Sequence, residues 1–257
     1  MSKSISKQSN RKKVRFPYTI VIPSTQQPEH LQSHTLALLH ASRIPSSAIL
    51  VVVPSSEEEI LYKETLTPNL YGRILAIHAP LPSADFYNRL SELLPEGIPL
   101  IYMSDSLTGI VQKEPYVTHP LVPVQQLGAL FKHAFQTCQT HHSQIWGVYP
   151  VANGHFMNPS VSTQLKYLPG GMWGCFNPGS AAVKLRTNTF VDYERSIVYW
   201  KTFGSIVRLN WVSVLDSQAP LHNSNRSAKQ LAKLYPDVVR LEQSESGELQ
   251  IRLYSPP

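Results

Sequence analysis

The sequence predicts an α/β fold with a mostly parallel central sheet flanked by helices. Three observations predict it. Four short apolar runs, 18–23 (YTIVIP), 49–54 (ILVVVP), 73–78 (RILAIH) and 100–103 (LIYM), do not alternate apolar with polar. Strands covered on both faces read that way. Helical patterns separate the runs, and capping signals mark where those helices begin.

The first helix is expected over 28–41, because Pro28 suits a first helical turn. The second is expected over 56–66. Ser55 to Glu58 and Ser56 to Glu59 both have capping-box spacing. The acids Glu57, Glu58 and Glu59 suit the positive end of a helix dipole. The third is expected over 83–94, stopped by Pro95 and Gly97. Beyond Asp105 the order changes. A Pro-rich connection over 114–123 precedes a helix at 124–140 and a strand at 145–149. The turn Pro169-Gly170-Gly171 leads into an apolar segment, 172–176. A helix at 191–203, a strand at 205–214, a helix at 227–235 and a strand pair within 238–254 complete the chain. No linker signal follows residue 15, so 16–257 reads as a single domain.

Composition excludes several classes. Of 257 residues, 42% are apolar and 16% charged, with 21 prolines. Charged residues make up about 25% of an average soluble domain. A coiled coil, a long-helix bundle and a charge-rich disordered chain are ruled out. No apolar run reaches the roughly 18–20 residues of a membrane span, and no leader pattern opens the chain. Two cysteines, Cys138 and Cys175, are too few for a disulfide framework. An intracellular, cytoplasmic location is the expectation.

The net charge of +6 lies in residues 1–15, which carry six basic residues and no acid. That leaves 17 of the 23 basic residues against all 17 acids. The tail is expected to be disordered. It suits phosphate contacts with a nucleic acid, and a solvated tail without a partner fits equally well.

Open α/β sheets bind ligands at the carboxyl ends of their strands. That rule selects Ser24, Thr25 and Gln26 after the first run, Pro54 and Ser55 after the second, the loop 78–82 after the third, and Ser104, Asp105 and Ser106 after the fourth. Asp105 between two hydroxyls suits a divalent metal on a diphosphate, and Ser-Asp-Ser-Leu-Thr-Gly is also good turn chemistry. Asp192 and Glu194 fall at a helix start, where acids stabilise the dipole whether or not they act on a substrate. Arg208 lies in an apolar strand and needs a partner, an anion or one of those carboxylates. His30 and His34, and Cys138 with His141 and His142, lack a second ligand pair for zinc. No phosphate loop, dinucleotide fingerprint or nucleophile elbow is present.

Four stretches carry a family resemblance. They are 20–24 with 35–39; 51–53 with Glu58, Glu59 and Tyr62; 101–106; and 146–153 with Phe156-Met157, followed by Asp192-Tyr193-Glu194 and Val207-Arg208. Across about 18–240 the chain resembles the GT-A-like glycosyltransferases that act on modified DNA bases. These are the TET-associated enzymes of phages and fungi, related to the base J glucosyltransferase. The resemblance implies a GT-A fold and transfer of a sugar from a nucleotide-sugar, such as a UDP-sugar, to the hydroxyl of a hydroxymethylated pyrimidine, or to an already glycosylated base, in DNA. It implies donor contacts at Pro23, Ser24, Thr25, Gln26, Ser104, Asp105, Ser106 and Arg208. It implies Mg²⁺ or Mn²⁺ at Asp105, a base at Asp192 or Glu194, and acceptor contacts at Trp146, Tyr149, Asn153, Gly170 and Gly171. Where the family usually shows three consecutive acids, this chain keeps Asp105 between two serines. Trp146, Tyr149, Phe156 and Trp173 are the aromatics able to stack on a flipped base, or to fill a core. Two other readings are open. The neutral body favours a transferase with a non-DNA acceptor, and the single acid favours a non-catalytic binding module.

Overall fold

The computed structural model describes residues 18–114, 120–217, 225–244 and 247–255. The predicted basic tail, 1–15, lies outside the described residues, as do 115–119 of the predicted Pro-rich connection.

The first half alternates as expected: β1 (Thr19–Pro23), β2 (Ile49–Val53), β3 (Arg73–Ala76) and β4 (Pro99–Met103). The helix after β1 runs as α1 (Pro28–Leu31), a π-helical turn (Gln32–Leu36) and α2 (Ala37–Ala41). The helix after β2 is α3 (Ser56–Thr65), and Ser55 caps it by accepting from the Glu58 amide. The one after β3 is α4 (Ala84–Leu93), capped by Ser83 through the Phe86 amide. Both caps satisfy amides that a helix start leaves unpaired.

The second half adds β5 (Leu107–Lys113), β6 (Leu121–Pro123), α5 (Leu127–Thr140), β7 (Ile145–Val148), β8 (Val161–Ser162) and β9 (Met172–Phe176). Then come α6 (Gly179–Ala182), α7 (Val191–Phe203), β10 (Val207–Leu209), β11 (Val212–Asp216), α8 (Asn225–Leu234), β12 (Val239–Gln243) and β13 (Leu249–Leu253).

The central sheet has eight strands in the order β3-β2-β1-β4-β9-β7-β10-β8. Six run in one direction; β9 and β8 oppose them. The expected mostly parallel sheet is therefore what forms. The chain moves outward from β1 to β3, then returns to set β4 on the other side of β1. The connections leaving β1 and β4 thus diverge, and the crevice between their carboxyl ends is the topological switch point.

Residue alternation builds the layers. Ile20, Ile22, Val51, Val53, Ile101 and Met103 pack on one face beneath α1–α2, α3 and α5. Val21, Leu50, Val52, Leu100 and Tyr102 pack on the other beneath α4, α7 and α8. Burial on both faces is why these strands read as unbroken apolar runs.

The sequence reading contains none of β5, β6, β8 and α6, and it merges two further strands. The strand expected over 205–214 is two strands, β10 and β11, in different sheets. β11 joins β5 and β6 in a three-stranded antiparallel sheet. This small sheet carries the chain from Val212 back to Asp216, beside the end of β4.

Candidate active site

The carboxyl ends of β1 and β4 are joined by side chains. Ser24 Oγ donates to Asp105 Oδ2 at 2.6 Å. Ser24 Oγ also lies 2.8 Å from the Tyr62 hydroxyl. With the serine proton committed to the carboxylate, Tyr62 is the donor to Ser24. Burial pushes the Tyr62 phenol up to about 12, so it keeps that proton. Burial likewise raises the Asp105 carboxyl; the Ser24 hydrogen bond and the nearby His30 pull it down, and the Asp216 charge adds to the rise.

The loop after β1 is fixed from α3. Glu58 accepts from Thr25 Oγ1 through one oxygen and from the Gln26 amide through the other, both at 2.8 Å. Gln26 sits in the left-handed region at φ 56°, a strained conformation this double hydrogen bond holds. Thr35, within the π-helical turn, donates to Ser104 O at 2.7 Å and accepts from the Leu107 amide at 2.9 Å. The wide turn thereby braces the segment carrying Asp105.

Ser104 and Ser106 flank Asp105 with their hydroxyls 2.8 Å apart, and Ser106 donates to Asp216. Sequence reading missed Asp216. It sits 111 residues beyond Asp105, and only the unforeseen pairing of β11 with β5 brings it back. Two carboxylates and hydroxyl oxygens suit a hard divalent cation. Among the described residues no three histidine, cysteine or carboxylate groups form a cage. Mg²⁺ commonly uses one or two protein carboxylates, with substrate phosphates and water completing its shell. The donor set fits that pattern.

The Gly-rich turn brings in a third carboxylate. The Ser104 amide donates to Gly171 O at 3.0 Å. A Cβ on Gly170 would sit 2.6 Å from Asp192 Oδ2, so the absence of a side chain lets the carboxylate approach. Asp192 thus lies against Gly170, Asp216 lies near Gly171, and the backbone beside Asp105 is bonded to Gly171. Asp192 Oδ1 is held by Arg195 Nη1 at 2.7 Å, and its side chain is 25% exposed.

Other predicted site residues lie elsewhere. Glu194 is fully buried and accepts from the Arg186 amide, the Thr187 amide and hydroxyl, and the Tyr235 hydroxyl. A carboxylate so enclosed ties the 186–187 segment, and Tyr235 just after α8, to α7; it is not positioned as a base. Trp146 is fully buried against Phe131 and Phe135, which removes it as an acceptor contact. A Cβ on Gly174 would lie 2.5 Å from its Nε1, so β9 has a glycine there to admit the indole. Trp173 is buried too, stacked on Tyr102 at 4.1 Å.

Arg208 donates from Nε to Asn210 Oδ1 at 2.8 Å and lies over the Tyr149 ring at 5.1 Å. Burial lowers its guanidinium from the ordinary value. Its strand is three places from β4 in the sheet, about 14 Å at roughly 4.8 Å per strand. Its partners, Asn210 and Tyr149, are not among the residues bonded around Asp105. Tyr149 is half-buried at the end of β7, on the same strand edge as the site. Asn153 shapes the next turn by accepting from the His155 amide, and leaves Phe156 65% exposed.

No protein-family model matches the sequence, and no curated protein matches it. Several solved structures are similar in fold. Glucosyl-3-phosphoglycerate synthase from Mycobacterium tuberculosis, in complex with Mn²⁺, UDP-glucose and phosphoglyceric acid, matches with a TM-score of 0.48 at 11% identity, over 93% of this chain and 87% of that one. S. aureus TarS matches at 0.49 and 13%, over 85% of this chain and 39% of that one. A mycobacterial protein matches at 0.47 and 10%, over 92% and 83%. At such identities and scores these likenesses carry nothing about what this chain binds.

Proposed function

We propose that the chain is a nucleotide-sugar-dependent glycosyltransferase with a GT-A-type site. The observation that carries this reading is the placement of Asp105 and Asp216 beside the end of β4, at the switch point of a 3-2-1-4 parallel sheet, with Asp192 against the neighbouring Gly170-Gly171 turn. The donor diphosphate sits at Asp105 and the nucleoside over the loop 23–26, which Glu58 holds rigid. Asp105 and Asp216 would hold a divalent cation, which would supply positive charge to the leaving diphosphate.

Asp192 is the base. The acceptor hydroxyl attacks the anomeric carbon, and the bond from that carbon to the diphosphate oxygen breaks. The bonding pair leaves with the nucleoside diphosphate, and the hydroxyl proton passes to Asp192. Asp192 suits this better than Glu194, whose oxygens are occupied by internal donors.

For the acceptor, the family resemblance and the basic residues of 1–15 support a hydroxymethylated pyrimidine in DNA. The burial of Trp146 and Trp173 and the charge balance of residues 16–257 favour a second reading, a hydroxyl on a non-DNA acceptor. The test is incubation with UDP-sugars, Mn²⁺ and DNA carrying 5-hydroxymethylcytosine or 5-hydroxymethyluracil, followed by nucleoside mass spectrometry. A hexose or pentose adduct supports the DNA acceptor. UDP release without any adduct moves the acceptor to the second reading.

A further inference from the structure

We infer that Arg195 is a positioning residue, acting through Asp192 to hold that carboxylate against the Gly-rich turn. The inference rests on the reading of Asp192 as the group that takes the acceptor proton.

Arg195 is one of the largest fully buried side chains of the described residues. Its guanidinium lies 4.0 Å over the Trp173 ring and 5.8 Å from the centre of Tyr87. Nη1 donates to Asp192 Oδ1 at 2.7 Å and Nη2 to Leu168 O at 2.8 Å. Nε has no hydrogen-bond partner. Taking a cation out of water costs several kcal/mol even after relaxation. The surrounding aromatic wall would accept an apolar side chain at less cost, so packing alone does not account for the guanidinium.

Its two hydrogen bonds have a common geometry. Leu168 directly precedes Pro169-Gly170-Gly171, and Asp192 opens α7. The planar fork therefore bridges the turn and the carboxylate that lies against it. Ser196 repeats the bridge one residue on: its hydroxyl donates to Asp192 O at 2.8 Å and accepts from the Leu168 amide at 3.0 Å. With Oδ1 fixed by Arg195, Oδ2 is the oxygen nearer Gly170: a Cβ there would lie 2.6 Å from Oδ2 and 3.0 Å from Oδ1. Arg195 sets the orientation of the carboxylate and how closely it approaches the turn.

The test uses the full chain and UDP-glucose with Mn²⁺, following UDP release with water as the acceptor. Arg195→Met is expected to lower kcat about 100-fold with the UDP-glucose KM unchanged. Asp192→Asn is expected to do the same. The double variant is expected to be no slower than Asp192→Asn alone, because both act through one carboxylate. Wild-type kcat in Arg195→Met, a rise in KM alone, or multiplied losses in the double variant would overturn the inference. If Arg195→Met does not fold, Arg195→Lys keeps the charge but not the fork and is read the same way. If the wild-type chain releases no UDP, the catalytic reading fails by itself. Crystal structures of the wild type and the variant then decide the positioning: Asp192 turned from Gly170 only in the variant supports it, and an unmoved carboxylate overturns it.

Discussion

Gly170 and Asp192 are in contact: a Cβ on the glycine would meet Asp192 Oδ2 at 2.6 Å and Oδ1 at 3.0 Å. Both oxygens are too close for an alanine to be absorbed without displacing the carboxylate. Gly170→Ala is predicted to cut sugar transfer about 100-fold, the scale of a 1 Å misplacement at a reacting group. Binding of UDP is predicted to stay at the wild-type level. Steady-state kinetics beside calorimetry with UDP checks both.

Asp105 trades stability for binding. Burial raises its carboxyl in the folded chain, so folding takes up a proton between the unfolded and the folded value. Its contribution to stability is therefore greatest at low pH and is lost as pH rises through that window. Asp105→Asn is predicted to raise Tm at pH 7 while abolishing metal-dependent UDP binding. Wild-type UDP binding is predicted to weaken as pH falls, beginning above the ordinary aspartate range. Thermal melts and calorimetry across pH 4–8 measure these opposed effects.

Much of this site could be read from sequence. The unbroken runs of β1, β2 and β4 and the cap at Ser55 are local signals, and the runs put Ser24 and Asp105 at strand ends. Asp192 was likewise legible as an acid at a helix start. Asp216 was not, because its position depends on a non-local antiparallel pair, β5 with β11. Glu58 was legible as part of a capping pattern, but its grip on Thr25 and Gln26 was not. Glu194 and Trp146 carried a residue type common to sites and cores. Only their surroundings separate the two roles.

Glu194→Ala is predicted to destabilise the fold by about 3 kcal/mol or more, because several buried donors lose their acceptor at about 1–3 kcal/mol each. Tyr235→Phe removes one of those donors and is predicted to cost about 1 kcal/mol. Urea unfolding of both variants checks the ordering. Equal stability of Glu194→Ala and wild type would refute the structural role.

Gly174→Ala tests the burial of Trp146. The new methyl would meet Trp146 Nε1 at 2.5 Å and Leu100 O at 2.8 Å. One neighbour is backbone and cannot yield cheaply, so a loss of about 1–3 kcal/mol is predicted. The indole fluorescence of the folded variant is predicted to shift, which a solvent-facing Trp146 would not show.

The β1–β4 crevice is predicted to bind a nucleoside diphosphate through Asp105. Isothermal calorimetry of UDP in Mn²⁺, with wild type and Asp105→Ala, tests it most directly. Metal-dependent binding by the wild type is expected, with at least about a tenfold loss in the variant, the scale of one charge-assisted contact. Equal affinity in both, or no UDP binding by the folded wild-type chain, would contradict it.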